Sequence, residues 1–375
     1  MNQPIPIQSI HNSNVLVRVN YDLPNLNSLE RITDTIPTIK LLLENNNRVV
    51  LLTHIGRPTH IDPVFSTQKI AIPVEKTLQE PMMFLNQFAS FEAIKEIFDN
   101  SPNRLFLMEN TRFNSIENTG SSKEKLDLAK EYAKFGSYFV DEAFAVSHRT
   151  EATNSSIKEL LPYTYGLSYD REVKELNKLK ELLKNPKSGV KTVIMGGAKL
   201  KTKLNLIQKI LPQVDHLILG GKLAFTFLEA QNNLKLKPKV DIYDSQVETE
   251  FLDTAKSLLM KFHSKIILPS DLIIGTADNG ISKLGYDIGS DSIKEFGQIV
   301  SNSSVIFWNG PMGFCEKKEY AVGTLATVES IVSNAKAYKV IGGGDTLGLI
   351  DPKAKSKFNF VSMGGGATLS YLGGE

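Results

Sequence analysis

The stretch Lys339-Val-Ile-Gly342-Gly-Gly-Asp345-Thr346 is the part of the sequence from which the rest is best interpreted. A β-branched run enters three glycines, and an acidic and a hydroxyl residue follow, which predicts a buried strand, a tight turn and a helix start. Glycines let the backbone approach a ligand, and the first N–H groups of a helix attract anions. The aspartate would repel a bare phosphate but could hold a cation that phosphates share. The stretch indicates either a magnesium–nucleotide site or a turn that uses glycine only for packing.

Four other predicted strands of the second half also run into glycines. The five junctions lie at Met195–Gly197, Leu219–Gly221, Trp308–Gly313, Ile341–Gly344 and Val361–Gly366. A ligand lying across the carboxyl edge of a parallel sheet would require such turns, so we favour the functional interpretation. The glycines match neither the Walker A pattern nor Gly-x-Gly-x-x-Gly, which disfavours P-loop NTPases and dinucleotide-binding Rossmann domains.

Cations follow the predicted strands of the first half. These strands begin at Val15, Val49, Leu105 and Tyr138, and basic residues stand in them or after them. A single arginine usually forms a surface ion pair, but several at one edge need counter-charges that the sequence does not obviously supply. We therefore predict a small, strongly anionic substrate, since each charge-assisted contact is worth roughly 1.5–3 kcal/mol.

Strands alternate with helical periods along the 375 residues, which predicts an α/β protein with two doubly wound parallel-sheet (Rossmann-like) domains. A Lys- and Glu-rich helical stretch, Tyr169 to Lys184, would join the two halves. The predicted limits are 1–167 for the first domain, 168–186 for the interdomain helix and hinge, and 187–375 for the second. Pro37 lies inside the helical pattern Arg31 to Glu44, where we expect a bend or a late helix start.

The composition excludes several classes of protein. With 41% hydrophobic residues, 22% charged residues and a net charge of +2, a general nucleic-acid or membrane-surface binder is disfavoured. We expect no signal peptide, and no apolar run approaches the ~20 residues of a membrane span. The single cysteine, Cys315, excludes an internal disulfide framework and fits a cytoplasmic protein.

These patterns predict that the second half binds a nucleotide and the first half binds a small phosphorylated acid. A phosphoryl transfer between them would require the cleft to close, because water in an open site would hydrolyse the donor.

With these residues assembled, the chain resembles the phosphoglycerate kinase family over nearly its whole length. The resemblance rests on ordered motifs: Arg18-Val-Asn-Tyr-Asp-Leu-Pro24, Thr53-His-Ile-Gly-Arg-Pro58, Glu109-Asn-Thr-Arg-Phe113, Gly196-Gly-Ala-Lys199, Ala224-Phe-Thr-Phe227, Trp308-Asn-Gly-Pro311, Gly342-Gly-Gly-Asp-Thr346 and Gly364-Gly-Gly-Ala367. It implies a monomeric glycolytic enzyme that transfers a phosphoryl group reversibly between 1,3-bisphosphoglycerate with MgADP and 3-phosphoglycerate with MgATP.

The resemblance also implies the residues of the two sites. The substrate would be bound by Asn20, Asp22, Arg31, His54, Arg57, Arg112 and Arg149. The nucleotide would be bound by Gly197, Lys199, Lys203, Gly221, Asn309, Pro311, Glu316, Gly343, Gly344, Asp345 and Thr346, with Asp345 as the ligand of Mg²⁺. Arg31, Lys199, Gly365 and Gly366 would stabilise the moving phosphoryl group. The accepting carboxylate is already ionised at neutral pH, so no general base is needed and charge neutralisation remains the main task.

The chain departs from the family pattern in several places. Asn20 and Asp22 stand where the family has Asp and Asn, and Glu142 replaces an aspartate. The exchange leaves open an acyl-phosphate kinase acting on a related small acid. The loops are altered, and the chain stops at Glu375 where family members usually continue. These two departures leave open a non-catalytic nucleotide-binding relative.

Overall fold

The computed structural model describes residues 4–23, 29–86, 90–198, 200–236, 247–276 and 283–374. The chain divides into two compact units, Met1–Lys174 and Glu175–Glu375. Each unit contains one six-stranded sheet in which all strands are parallel. The prediction of two doubly wound parallel-sheet α/β domains is confirmed.

The sheet of the first unit has the strand order β3-β4-β2-β1-β5-β6. The strands are β1 (Asn14–Arg18), β2 (Arg48–Leu52), β3 (Met82–Leu85), β4 (Leu105–Met108), β5 (Tyr138–Asp141) and β6 (Tyr163–Tyr165). The helices are α1 (Glu30–Glu44), α2 (Gln68–Leu78), α3 (Phe91–Asn100), α4 (Ile116–Thr119), α5 (Ser122–Ala133) and α6 (Ile157–Leu160), and α7 (Leu167–Lys184) continues into the second unit.

Alternate residues of each central strand enter two separate cores. Val15 and Val17 of β1 pack with α1 and α2, whereas Leu16 packs with α3 and α5 on the opposite face. Because both faces are covered by helices, the middle residues of these strands are apolar on both faces, as their sequences predict, and the polar residues stand at the strand ends.

Helix α1 begins at Glu30 and runs through Pro37, so the late start that we considered does not occur. Proline removes one backbone hydrogen bond from a helix interior. The apolar face includes Ile32 before the proline and Ile39 and Leu42 after it, and all three are fully buried. Burial on both sides of Pro37 stabilises one continuous helix.

The sheet of the second unit has the order β14-β13-β12-β7-β8-β9. Its strands are β7 (Lys191–Met195), β8 (His216–Leu219), β9 (Ile266–Ile267), β12 (Val305–Asn309), β13 (Tyr338–Gly342) and β14 (Phe360–Ser362), and β10 (Leu272–Thr276) and β11 (Lys283–Ile288) form a separate antiparallel pair. The helices are α8 (Leu204–Ile210), α9 (Leu223–Leu234), α10 (Leu252–Phe262), α11 (Ser290–Ser301), α12 (Val322–Ser333), α13 (Gly344–Leu347), α14 (Pro352–Lys355) and α15 (Gly366–Gly373).

In each sheet the chain order reverses at one pair of neighbouring strands. In the first sheet this pair is β1 and β5, and in the second it is β7 and β12. Ligands of open α/β sheets bind beyond the carboxyl ends of strands at such a reversal. Of the helices that the described ranges contain, none has the length and apolar character needed to cross a membrane.

Glu142, which follows β5, holds the first turn of α7. Its carboxylate accepts hydrogen bonds from the Thr38 hydroxyl (2.5 Å) and from the backbone N–H groups of Ser168 (3.2 Å) and Tyr169 (3.3 Å). A Cβ at Gly166 would overlap this carboxylate, so glycine is required there. Burial outweighs these hydrogen bonds and raises the pKa of Glu142 to about 7.

This pKa makes stability depend on pH. Because the pKa of Glu142 in the folded state lies above its ordinary value of 4.5, protonation of Glu142 stabilises the folded state. This stabilisation is complete below about pH 4.5 and is lost as the pH rises through about 7. We expect the urea midpoint of the protein to fall between about pH 5 and 8, with a smaller fall in Glu142→Gln. Glu159→Gln, an exposed control, should keep the wild-type slope. An unchanged slope in Glu142→Gln would contradict this account.

Candidate functional site

The basic residues of the first unit lie at the carboxyl ends of four adjacent strands, β4, β2, β1 and β5. At their centre is the buried carboxylate of Glu151. It accepts a hydrogen bond from Arg18 (Nη2 to Oε2, 3.1 Å) and one from Arg112 (Nη2 to Oε1, 2.7 Å), and Arg149 lies 3.5 Å from the same Oε1. Burial raises the pKa of Glu151, but Arg18 and Arg112 outweigh that effect and lower it. One carboxylate thus partly neutralises three guanidinium groups.

His54 lies in the same cluster with its Nδ1 3.0 Å from Nη2 of Arg18. Because Arg18 can only donate, Nδ1 must accept and the proton of the neutral ring is on Nε2. Burial and the surrounding arginines lower the pKa of His54 well below 6.5. His54 is therefore a neutral hydrogen-bond donor, and its Nε2 lies 3.8 Å from Oδ2 of Asp22.

The remaining predicted substrate residues surround this cluster. Arg31 on α1 donates to the backbone oxygen of Asp22, and burial lowers its pKa. Oδ1 of Asp22 accepts from the Gly56 N–H (2.9 Å), which fixes the loop after β2. Arg57 on that loop is exposed and Asn20 is partly buried. Six of the seven predicted substrate residues are thus joined by contacts or electrostatic influence, and Asn20 lies two residues from Asp22.

Sequence reasoning missed Glu151, because we assumed that the basic edge had no evident counter-charge. Glu151 stands only two residues after Arg149, and this proximity was the available signal. Sequence reasoning also missed the residues that hold the loop after β2. The Asn110 amide donates to the backbone oxygens of Ile55 and Phe65, both at 2.8 Å.

In the second unit the five glycine junctions follow β14, β13, β12, β7 and β8, which are consecutive strands of the sheet. Backbone hydrogen bonds join the turns: Gly197 N–H donates to Pro311 O (2.7 Å) and Gly221 N–H to Met312 O (2.8 Å). Gly197 and Gly221 have φ values of +89° and +59°, and a Cβ at Gly221 would lie 2.5 Å from the nitrogen of Gly197. Only glycine permits this approach, so packing alone already requires several of these residues.

Two polar side chains at this edge carry atoms without hydrogen-bond partners. The buried Asn309 Nδ2 and Thr346 Oγ1 have no hydrogen-bond partner among the described residues. A Cβ at Gly343 would lie 3.2 Å from Asn309 Nδ2, so the glycine leaves room beside the amide. Buried polar atoms of folded proteins are nearly always satisfied, and a ligand that supplies oxygen atoms would satisfy both.

Lys203 provides a buried cation close by. Its ammonium group donates to Gly196 O, and a Cβ at Gly310 would lie 2.7 Å from Nζ. Burial lowers its pKa to about 8, although Asp345 raises it. Lys199, the other predicted lysine, lies outside the described residues.

The residues present fit a magnesium–phosphate group. Asp345 is exposed at the first turn of α13, where its carboxylate can reach a ligand. No group of three His, Cys, Asp or Glu side chains that could hold a metal occurs among the residues described. Mg²⁺ is commonly bound by one or two carboxylates together with substrate phosphates, and that arrangement needs no such group.

Three further predicted residues lie at the same edge. Pro311 follows β12, Glu316 is exposed five residues later, and Gly365 with φ +53° precedes α15. The start of α15 has no side-chain cap, and a Cβ at Gly365 would meet no atom within 4 Å. The Ala367 N–H donates to Gly364 O (3.0 Å), and the other N–H groups of the first turn of α15 have no side-chain cap, as at helix starts that bind anions.

Known proteins are similar to this chain over nearly its full length. The family model described as phosphoglycerate kinase matches residues 7–375. The phosphoglycerate kinase of Deinococcus radiodurans is 34% identical over 382 residues, covering 96% of this chain and 89% of that protein. That of Finegoldia magna is 32% identical over 391 residues, covering 98% and 95%. The solved structure of phosphoglycerate kinase from Pyrococcus horikoshii has a TM-score of 0.80 at 25% identity, covering 97% and 94%.

Removing the central carboxylate should destabilise the protein. In Glu151→Gln the charges of Arg18 and Arg112 would stay buried without their counter-charge, and breaking such pairs costs roughly 3–5 kcal/mol. We expect a loss of this size in the free energy of unfolding, measured with urea at pH 7.5. The exposed Glu159→Gln should change it by less than about 0.5 kcal/mol. A loss below about 1 kcal/mol in Glu151→Gln would show that the cluster does not depend on this residue.

Proposed function

The chain belongs to the phosphoglycerate kinase family, and on that premise we propose which of its residues bind the substrates and move the phosphoryl group. The activity is the reversible transfer between 1,3-bisphosphoglycerate with ADP and 3-phosphoglycerate with ATP, in which a carboxyl group is the acceptor. The observation that carries the assignment is the pair of sheet edges, one lined with arginines and one with glycines and unpartnered polar atoms.

We propose that the first unit binds the phosphoglycerate. Arg57, Arg112 and Arg149 would contact its phosphate and carboxylate, since guanidinium groups bind such anions through paired hydrogen bonds. His54 would donate from Nε2 as a neutral ligand, and Asn20 and Asp22 would bind the glycerate hydroxyl end. The distribution of charge supports this, because Arg18, Arg112 and Arg149 all lie within 3.5 Å of the single carboxylate of Glu151, which cannot neutralise all three.

We propose that the second unit binds the nucleotide. Gly197, Gly221 and Pro311 would line the adenosine, and Glu316 would accept hydrogen bonds from the ribose hydroxyls. The phosphates would lie at Lys203, Asn309, Gly343, Gly344 and Thr346. The unpartnered atoms Asn309 Nδ2 and Thr346 Oγ1 support this position.

Asp345 would hold Mg²⁺ on the nucleotide phosphates. The ion, when bound, neutralises part of the phosphate charge and makes the phosphorus more electrophilic. The chain's own contribution is to orient the phosphates and exclude water around them.

The transfer itself needs charge stabilisation rather than a proton acceptor. The carboxylate of 3-phosphoglycerate is ionised at neutral pH, so it attacks the γ-phosphorus directly, the bond to the β–γ bridging oxygen breaks, and ADP leaves. Arg31 and Lys199 would neutralise the oxygens of the moving group, and the N–H groups that begin with Gly365 and Gly366 would donate to it.

We further propose that the enzyme acts as a cytoplasmic monomer that binds neither nucleic acid nor a membrane. The hinge remains a prediction.

Arg31 is tested by comparing two positions on α1. Mixed with MgATP and 3-phosphoglycerate in an assay coupled to NADH oxidation, the protein should turn over. Arg31→Ala should lower kcat by roughly 10³–10⁵, the range for arginines that stabilise a phosphoryl transition state. Lys40→Ala removes the same charge from the opposite face of the helix and should leave kcat unchanged.

The outcomes of this assay separate the alternatives. Folded protein that binds MgADP but gives no turnover would refute the proposed function in favour of a non-catalytic relative. A loss below about tenfold in Arg31→Ala would remove only that residue from its proposed role.

Asp345 is tested by the metal dependence of binding. In Asp345→Asn, calorimetry should show that MgADP binds at least roughly 10–100-fold more weakly. A loss of that size follows when a residue that only supports a metal ligand is substituted, and Asp345 would be the ligand itself. Binding of ADP in EDTA should not weaken, because the substitution removes a negative charge near the phosphates. Asp351→Asn, an exposed neighbour at the start of α14, should bind MgADP as the wild type does. Equal weakening with and without magnesium would contradict the role of Asp345 as metal ligand.

A further inference from the structure

Asp287 is a buried carboxylate on β11 that the proposed mechanism does not use. Its side chain is 3% exposed. One oxygen accepts from the backbone N–H of Ile288 (2.8 Å) and the other from that of Gly323 (2.7 Å). Gly323 is the second residue of α12, whose start has no side-chain cap of its own. Asp287 therefore supplies the acceptor for the first turn of α12 from another element.

The same carboxylate lies against the loop formed by residues 310–316. A Cβ at Gly313 or at Gly323 would overlap Oδ1 of Asp287, so the carboxylate fits between two glycine backbones. Next to Gly323, the Thr324 hydroxyl accepts from the Met312 N–H (2.9 Å). From the other side of Asp287, Tyr286 O accepts from the Phe314 N–H (2.7 Å). The loop is thus held on one side by a neighbour of Gly323 and on the other by a neighbour of Asp287 itself.

This loop is continuous with the glycine turns. The backbone oxygens of Pro311 and Met312 accept from Gly197 and Gly221, and the loop also carries Glu316. A shift of α12 would move Met312 through Thr324, and Met312 would move the turn at Gly221. The position of one buried carboxylate therefore affects three segments proposed to contact the adenosine.

We infer that Asp287 is a positioning residue for the nucleotide: by fixing the start of α12 it fixes loop 310–316 in the geometry that binds adenosine. Asp287 does not itself touch the nucleotide. The inference rests on the proposed function only for the location of the nucleotide, and it concerns binding rather than transfer.

The chain offers a matched control next to β10, the strand that pairs with β11. Asp271 precedes β10 and caps α11, accepting from the backbone N–H groups of Asp291 (3.1 Å) and Ser292 (2.8 Å). Like Asp287 it is an aspartate that holds the start of a helix. Within the described part of the chain, its side-chain hydrogen bonds go to Asp291 and Ser292 and not to loop 310–316. Asp271→Asn therefore reports the effect of a lost helix cap without a change in the loop.

The test measures binding of MgADP and of 3-phosphoglycerate separately, by calorimetry on the full chain at pH 7.5. This pH lies above the pKa of Asp287, which burial raises to about 6. In Asp287→Asn the amide can accept only one of the two backbone hydrogen bonds. We expect the Kd for MgADP to rise about tenfold, the Kd for 3-phosphoglycerate to stay unchanged, and Asp271→Asn to bind both as the wild type does.

Gly313→Ala provides a second test if Asp287→Asn folds poorly, because its methyl group would overlap the carboxylate of Asp287 and the backbone oxygen of Tyr320 without removing a charge. Its control is Gly297→Ala on α11, where a Cβ meets only the Ser330 hydroxyl at 3.2 Å. Weaker MgADP binding in Gly313→Ala but not in Gly297→Ala supports the inference. Wild-type MgADP affinity in Asp287→Asn or Gly313→Ala overturns it, as does equal weakening in Asp271→Asn. Failure of the wild type to turn over would refute the proposed function and leave this comparison valid.

Discussion

Burying several arginines side by side is unfavourable unless a carboxylate is buried with them, and in the first unit that carboxylate is Glu151. The arrangement has a useful asymmetry. The single charge of Glu151 pairs with Arg18 and Arg112 inside the protein, but it cannot neutralise both of them together with Arg149. Burial, together with the positive charge of the surrounding arginines, lowers the pKa of His54 well below 6.5, so its ring offers a hydrogen bond rather than a charge. The electrostatics of the basic edge follow from three guanidinium groups gathered around the carboxylate of Glu151.

The second unit depends on a different constraint, the absence of side chains. The turns at Gly197 and Gly221 and the loop after β12 bond to one another through backbone atoms, at distances that a Cβ would prevent. A few separate side chains, those of Lys203, Asn309 and Thr346, lie next to these glycine turns. A site made in this way can surround a ligand with backbone N–H groups while leaving space for it.

The sequence alone predicted the fold class and both edges, because hydrophobic runs and glycine clusters act locally. Strands β1, β2, β4 and β5 each begin within one residue of the predicted start. It could not predict which carboxylate neutralises the arginines, since Glu151 reaches Arg18 across 133 positions of the chain. Asp287 was missed for the same reason, as was the continuity of α1 through Pro37, which burial of the flanking residues decides. Such contacts follow from strand order and not from any local pattern.

Lys203 extends this account to proton linkage. Its ammonium group is buried and its pKa is lowered to about 8, so a sizeable fraction of molecules carries a neutral amine in mildly alkaline solution. Phosphates beside it would favour the charged form and raise that pKa again. If the nucleotide binds beside Lys203 as proposed, binding would take up a fraction of a proton from the solvent, and the heat of binding would depend on the ionisation enthalpy of the buffer. A lysine kept out of water would thereby make nucleotide affinity a function of proton concentration.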